Sequence, residues 1–293
     1  MTRPARGDLS GLRLLTVHAH PDDESSKGAA TLVKYARAGA GVLICTMTGG
    51  ERGDVLNPAL DRPEVRAGLP ARRRAEMARA REILGVRQRF LGFVDSGLPR
   101  NGEPVPADGF AVQPLEVATR ALVAAVREFR PHVLVTYDEN GGYPHPDHIR
   151  TNRVAVAAFH AAGDVHEYPD AGPVWSPSKL YYTCAFNRDY FVAIDAAMTA
   201  AGLDSPARVV LDTWPRDWPA WEVTTRVECA EYFPVRRAAL LAHETQVDPA
   251  GPELSCPLGL EMKAWPTEDY HLVCSAVPTE LPEDDLFAGI VAG

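Results

Sequence analysis

No two cysteines of this chain stand close enough in sequence to form a thiolate metal motif. Cys45, Cys184, Cys229, Cys256 and Cys274 are scattered, and no C-x-x-C pair occurs. That argues against a cysteine zinc site and against a disulfide framework, and leaves each thiol as a small buried or indifferent side chain. Lysine is equally scarce, with only Lys27, Lys34, Lys179 and Lys263, and the net charge of −9 removes the basic surface that non-specific nucleic-acid binding needs. No apolar run approaches the roughly 20 residues that span a bilayer. The opening "MTRPARGDLSG" has no apolar h-region, so no signal peptide and a cytoplasmic location are expected. No G-x-G-x-x-G follows the first apolar run, which argues against a nucleotide-binding dehydrogenase. "GGERGD" lacks the Lys-Ser/Thr pair of a P-loop.

What is present is a repeating alternation. Leu12 to His18, Gly41 to Thr48, Gln88 to Asp95 and Pro131 to Asp138 read as strands, the first apolar enough to be covered on both faces. Between them, Asp23 or Glu24 opens a helix expected to run to about Ala38. Further helices are expected over Ala71–Leu84, Leu115–Phe129 and Ile149–Ala162, and "SGLPRNGEPVPADG" is a loop. This rhythm predicts an α/β fold: a doubly wound, mostly parallel Rossmann-like sheet. The pattern changes after about Ser178. "KLYYTCAF" is compatible with another strand, and Val227 to Gln246 reads as a helical segment interrupted near Pro234. Two parts are therefore expected: a catalytic domain over 1–178 and a smaller α/β portion over 179–293 that completes the substrate pocket.

In such sheets ligands sit beyond the carboxyl ends of the strands. The titratable residues gather at those ends: His18 to Glu24 after the first strand, Gly49 to Asp54 after the second, Asp95 after the third and Tyr143 to His148 after the fourth. A hydrolytic zinc site takes three protein ligands and keeps one position for water. "HPDD" offers His20 with Asp22 or Asp23, and "HPDH" offers His145 and His148. One ligand should come from the second cluster, because two loops hold a cation more rigidly than one. Adjacent aspartates point different ways, so one can bind metal while the other serves the bound water as general base. A protonated His145 facing it can stabilise an oxyanion and protonate a leaving amine, and Tyr143 can donate to the substrate carbonyl. The competing explanation is ordinary helix capping, which accounts for one Asp and one Pro in each cluster but leaves His20, His145 and His148 unexplained. Ser25 and Ser26 read as helix-start caps rather than nucleophiles. His18 is expected to point away from the metal. His243 and Gln246 either reach the site or lie on an exposed helix turn.

"HAHPDDE" with the later "HPDH" resembles the LmbE-like zinc N-deacetylases, a family whose members include a deacetylase and an S-conjugate amidase of mycothiol metabolism. "ESSKGAAT", "TGGERGDVLNP", "LGFVDSGLP", "VREFRPHVLVTYDENGGYPHPDHIR", "VTTRVEC" and "LFAGI" extend the resemblance through most of the chain and favour the amidase branch; it is weakest at about 185–222. The resemblance implies zinc (with Fe²⁺ also suited to such ligands) held by His20, Asp23 and His148. It implies Asp22 as general base, His145 as general acid or oxyanion histidine, and Tyr143 as the carbonyl-polarising group. Asp54, Arg73 and Asp95 match sugar-binding positions, the deacetylase having Glu where this chain has Asp54. Asp147 is expected to buttress His145. Lys27 lies one turn beyond Asp23, overlooking the site or pairing with Glu24 on a helix face. The implied partner is a small molecule, a mycothiol S-conjugate, cleaved at the amide between glucosamine and N-acetylcysteine. The rivals are the same cleavage in a lincomycin-type biosynthetic pathway, deacetylation of N-acetylglucosaminyl-inositol, and a non-catalytic binding module, against which the retained Asp22 argues.

Overall fold

A computed structural model describes residues 8–99, 103–215, 218 and 221–291. The extreme N-terminus, read above for the lack of a leader, and positions 100–102 of the Pro/Gly loop lie outside them. The core is one seven-stranded sheet in the order β3-β2-β1-β4-β5-β7-β6. The strands are β1 (Arg13–His18), β2 (Gly41–Thr48), β3 (Arg87–Phe93), β4 (Val133–Thr136), β5 (Lys179–Thr183), β6 (Thr225–Glu228) and β7 (Thr267–Ser275). β1 to β5 are mutually parallel, and β7 and β6 close one edge antiparallel.

The side-chain period of two explains why helices cover both faces. Leu14, Val42 and Ile44 enter one apolar cluster with Leu32 and Val33 of α2 (Ala29–Arg37) and Met77 and Ala80 of α4 (Leu69–Leu84). Leu15, Val17, Leu43 and Cys45 enter another with Leu122 and Val126 of α5 (Leu115–Phe129) and Val154 and Ala158 of α6 (Pro146–Ala161). A short α3 (Pro63–Ala67) precedes α4. Among the described residues no helix is long and apolar enough to cross a membrane.

Three expectations need revision. The helix expected from Asp23 to Ala38 is two: α1 (Asp23–Ser26) and α2, parted at Lys27 and Gly28. Gly28 adopts φ +106, and a Cβ there would lie 3.0 Å from the Tyr270 hydroxyl, so the chain turns where only glycine fits easily. The Glu268 carboxylate then accepts from the first amides of α2, Ala30 N at 3.2 Å and Thr31 N at 2.8 Å, so no local cap is needed. The expected helical segment 227–246 begins as β6, and α9 (Phe233–Leu241) places Pro234 in its first turn, where a missing amide costs nothing. The expected boundary near 178 divides one sheet rather than separating two: β5, β6 and β7 continue the sheet that β1 begins. The remaining helices, α7 (Arg188–Ala200), α8 (Ala207–Asp212) and α10 (Leu258–Ala264), pack together beside its antiparallel edge.

Candidate active site

The chain leaves β1 for β2 on one side and later enters β4 on the other, so β1 and β4 flank the point where strand order reverses. A crevice forms there because the two following loops diverge. His20, Asp22 and Asp23 follow β1; Tyr143, His145 and His148 follow β4 and begin α6.

Three atoms converge in this crevice. His20 Nδ1 lies 3.5 Å from Asp23 Oδ2, His148 Nε2 lies 3.3 Å from Asp23 Oδ2, and the two imidazole nitrogens are 3.3 Å apart. His148 Nδ1 is 2.9 Å from the carbonyl of Gly141. A carbonyl only accepts, so the proton sits on Nδ1 and Nε2 presents its lone pair. His20 Nε2 faces Asp147 Oδ2 at 3.2 Å and Asp95 Oδ1 at 3.4 Å. It therefore carries the proton, and in the neutral ring Nδ1 has the lone pair. Three acceptors thus face one another, an arrangement that repels unless a cation lies among them. Their separations match a tetrahedral zinc, whose bonds of about 2.0–2.1 Å set ligand atoms about 3.3–3.4 Å apart. Burial pushes the His20 imidazole down, but Asp147, Asp23 and Asp95 more than reverse it and hold it well above its usual value. Burial likewise pushes the Asp23 carboxyl up, and His148, Lys27 and His20 hold it ionised. His145 lies close enough to His20 and His148 to form an alternative triad, and His20, Asp95 and Asp147 form another.

The glycine at 141 makes the His148 arrangement possible. It adopts φ +78, and a Cβ would lie 2.6 Å from that of His148. Tyr137 completes the frame. Its ring stacks on His148 at 4.3 Å and 7°, while its hydroxyl donates to Asp23 Oδ2 at 2.7 Å and accepts from Ala19 N at 2.7 Å.

Asp22 stays out of the triad. Its backbone is held at φ 111, ψ −30, outside the comfortable range of a non-glycine residue. Asp22 N donates to Glu24 Oε2 at 2.9 Å, and Glu24 Oε1 accepts from Ser25 Oγ at 2.6 Å and meets His243 Nε2 at 2.7 Å. Burial pushes the Glu24 carboxyl up, but His243 and these hydrogen bonds hold it at about 2. Asp22 itself is pushed up by burial, against the opposing pull of Arg73. A carboxylate of raised basicity beside a cation site is equipped to take a proton from water.

The other expected residues have the following surroundings. The Asp147 carboxylate meets His20 and Ser96 N (2.9 Å), not His145; only its backbone amide meets His145, at Nδ1 (3.1 Å). That contact makes Nδ1 an acceptor and puts the ring proton on Nε2, facing the cleft. Burial, with His20 and His148, pushes the His145 imidazole down to about 4. Arg73 is 3% exposed, and its guanidinium donates to Pro21 O (2.6 Å), Gly50 O (3.0 Å) and Asp22 Oδ1 (3.4 Å). It ties two loops together and faces Asp22, with few donors left for a sugar. Asp95 is buried, accepting from Arg52 N at 3.0 Å and Gly97 N at 2.8 Å beside His20, again turned inward. Lys27 pairs with Asp23 Oδ1 at 2.7 Å rather than with Glu24, and stands over the Tyr143 ring at 6.0 Å. Asp54 is exposed at the cleft rim, where its carbonyl accepts from Gln246 Nε2. Tyr143 is 39% exposed, its ring 4.6 Å from that of His148. His18 turns away, its Nε2 2.7 Å from Thr16 Oγ1.

Sequence reasoning missed Tyr137 and Glu24 and left His243 undecided. Tyr137 carried one signal, an aromatic hydroxyl at the rim end of a buried strand. The pairing of Glu24 with His243, 219 residues apart, carried none.

The doubly wound sheet thus carries a His/Asp crevice able to hold a metal, with the Asp22 carboxylate beside it. Residues 15–159 match the family model described as PIG-L, GlcNAc-PI de-N-acetylase. The chain is 49% identical to a mycothiol S-conjugate amidase of Streptomyces coelicolor, covering 95% of this chain and 97% of that one. It is 40% identical to a 1D-myo-inositol 2-acetamido-2-deoxy-alpha-D-glucopyranoside deacetylase of Geodermatophilus obscurus, over 95% and 98%. An N,N'-diacetylchitobiose deacetylase from Pyrococcus horikoshii shares the fold, with TM-score 0.59 and 18% identity, covering 89% of this chain and 83% of that one. The chain belongs to the PIG-L, or LmbE-like, family of amidases and deacetylases.

Proposed function

We propose that the chain is a zinc-dependent amidase that hydrolyses the glucosamine–N-acetylcysteine amide of mycothiol S-conjugates, releasing a mercapturic acid and glucosaminyl-inositol. The observation that carries the reading is the triangle of His20 Nδ1, Asp23 Oδ2 and His148 Nε2, with edges of 3.3–3.5 Å, beside Asp22, which stays out of it. The 49% identity to an S-conjugate amidase favours this substrate. His20, Asp23 and His148 would hold the metal, Zn²⁺ or alternatively Fe²⁺, which when bound polarises the substrate carbonyl and makes water acidic enough to attack near neutral pH.

The chain's own groups do the rest. Asp22 takes the proton from water as its oxygen adds to the amide carbon. His145 donates Nε2–H, and Tyr143 its hydroxyl, to the oxygen that gains charge. As the C–N bond breaks, the departing glucosamine nitrogen gains a proton. Asp22 is the donor that fits, because Nδ1 of His145 already accepts from Asp147 N and the ring is disfavoured as an acid. Asp54 and Gln246 at the rim offer hydrogen bonds to the sugar and inositol hydroxyls.

The second reading is deacetylation of acetylglucosaminyl-inositol, favoured by the 40% identity to that enzyme. The test is metal analysis of the purified protein, followed by product identification with a bulky mycothiol conjugate and with acetylglucosaminyl-inositol offered separately. Mercapturic acid from the first with little acetate from the second supports the amidase; the reverse overturns it.

A further inference from the structure

Beside the catalytic cleft lies a second chamber of about 810 Å³. Lys27 and Tyr143 line both, so the two spaces adjoin across these side chains. The two differ in aromatic content. The cleft carries Arg52, Asp54, Glu103 and Gln246, groups suited to a polyol. The chamber is walled by Phe186, Trp214, Trp218 and Trp221, with charged groups, among them Arg188, Asp189, Glu222 and Arg226, also on its lining. Phe186 stacks on Trp214 with ring centres 4.9 Å apart at 10°, and Trp218 approaches Phe186 at 5.2 Å and 52°. Phe191 supports both from behind, 5.2 Å from Phe186 and 5.8 Å from Trp214. Phe186 is nevertheless 41% exposed. A large aromatic held by its neighbours yet left open inside a concavity is poised to stack on something that enters.

We propose that this chamber receives the sulfur substituent of the conjugate, and that it selects for flat aromatic substituents over small alkyl ones. The inference rests on the amidase reading. An amide has a sugar on its nitrogen side and the cysteinyl group on its carbon side, and the crevice has a polar cleft on one side and an aromatic chamber on the other. Lys27 and Tyr143 stand where the two meet. An acetyl group would leave nearly all of the chamber empty. A second cavity, of about 470 Å³, lies behind Phe186 and Ser26, but it shares no lining residue with the catalytic cleft and is not the substituent site.

The test uses the zinc-loaded enzyme and two conjugates alike except for sulfur: S-naphthylmethyl and S-methyl. The wild type should show a higher kcat/KM for the naphthylmethyl conjugate by about tenfold or more, and Phe186→Ala and Trp214→Ala should each reduce that ratio about tenfold, mainly through KM. Val165→Ser, at a residue 62% exposed and lining none of these cavities, should leave the ratio unchanged. A folded Phe186→Ala and a folded Trp214→Ala that both keep the wild-type ratio would overturn the proposal. Should neither conjugate be cleaved, the amidase reading fails, and the chamber is judged by binding of S-naphthylmethyl-N-acetylcysteine, followed by tryptophan fluorescence. Binding weakened by Phe186→Ala then sustains the aromatic subsite; no binding to the wild type removes it.

Discussion

Replacing Tyr137 by Phe removes one oxygen from the frame behind the candidate metal centre and separates two consequences. The stacked ring on His148 survives, so packing changes little. The hydroxyl's two bonds do not. Ala19 N loses its acceptor in a fully buried position, which costs about 1–3 kcal/mol. With an unfolding entropy of roughly 2.1 cal/mol/K per residue, a 293-residue chain losing about 2 kcal/mol should melt about 3 °C lower. The second consequence is chemical. Asp23 Oδ2 loses the donor at 2.7 Å that aims it at the two imidazoles, and loss of such a partner lowers metal affinity by about 10–100-fold. Thermal unfolding of the metal-free protein measures the first effect, and zinc competition against a chelator of known affinity measures the second. Stability lowered as expected with zinc affinity unchanged within about threefold would refute the reasoning: either Asp23 does not bind the metal or Tyr137 does not orient it.

Asp22→Asn keeps a side chain tolerated at positive φ and removes the proton acceptor; turnover should fall about 10²–10⁴-fold with the metal content unchanged, and an active variant would discard Asp22 as the base. Asp147→Asn weakens the partner that fixes the His20 proton on Nε2, and zinc affinity should fall by about 10–100-fold in a chelator competition. His132, whose Nδ1 accepts from Arg13 N at 3.1 Å, is held below its ordinary 6.5 by burial and by Arg13. Its folded pKa is depressed, so its contribution to stability is complete above pH 6.5 and is lost as pH falls below 6.5 toward the folded value. Urea midpoints followed down to about pH 5 should decline less steeply in His132→Asn than in the wild type.

Much of this molecule was legible along the chain because its signals are local. β1, β2 and α5 follow from apolar runs and period, and the two loops of the crevice follow from His and Asp crowded at strand ends. The breaks came where distant groups overruled local preference. The helix expected to run from Asp23 to Ala38 parts at Gly28, whose positive φ turns the chain beside Tyr270, and Glu268 caps the second half. Asp147 was matched to His145 by nearness in sequence, yet its carboxylate reaches His20, which is 127 residues away.

By itself the sequence determined the alternating architecture, the two loops that meet at its rim and the residue types able to hold a cation there, since these depend on periodicity and on chemistry within a few residues. Only the tertiary structure decided which atoms face one another: the lone pairs of His20 and His148, the hydroxyl of Tyr137, the Glu24–His243 brace and the aromatic wall beside Lys27. Those relations depend on side chains brought together across the sheet, and the direction of a lone pair or a ring face exists only once the surrounding packing has fixed the rotamer that carries it.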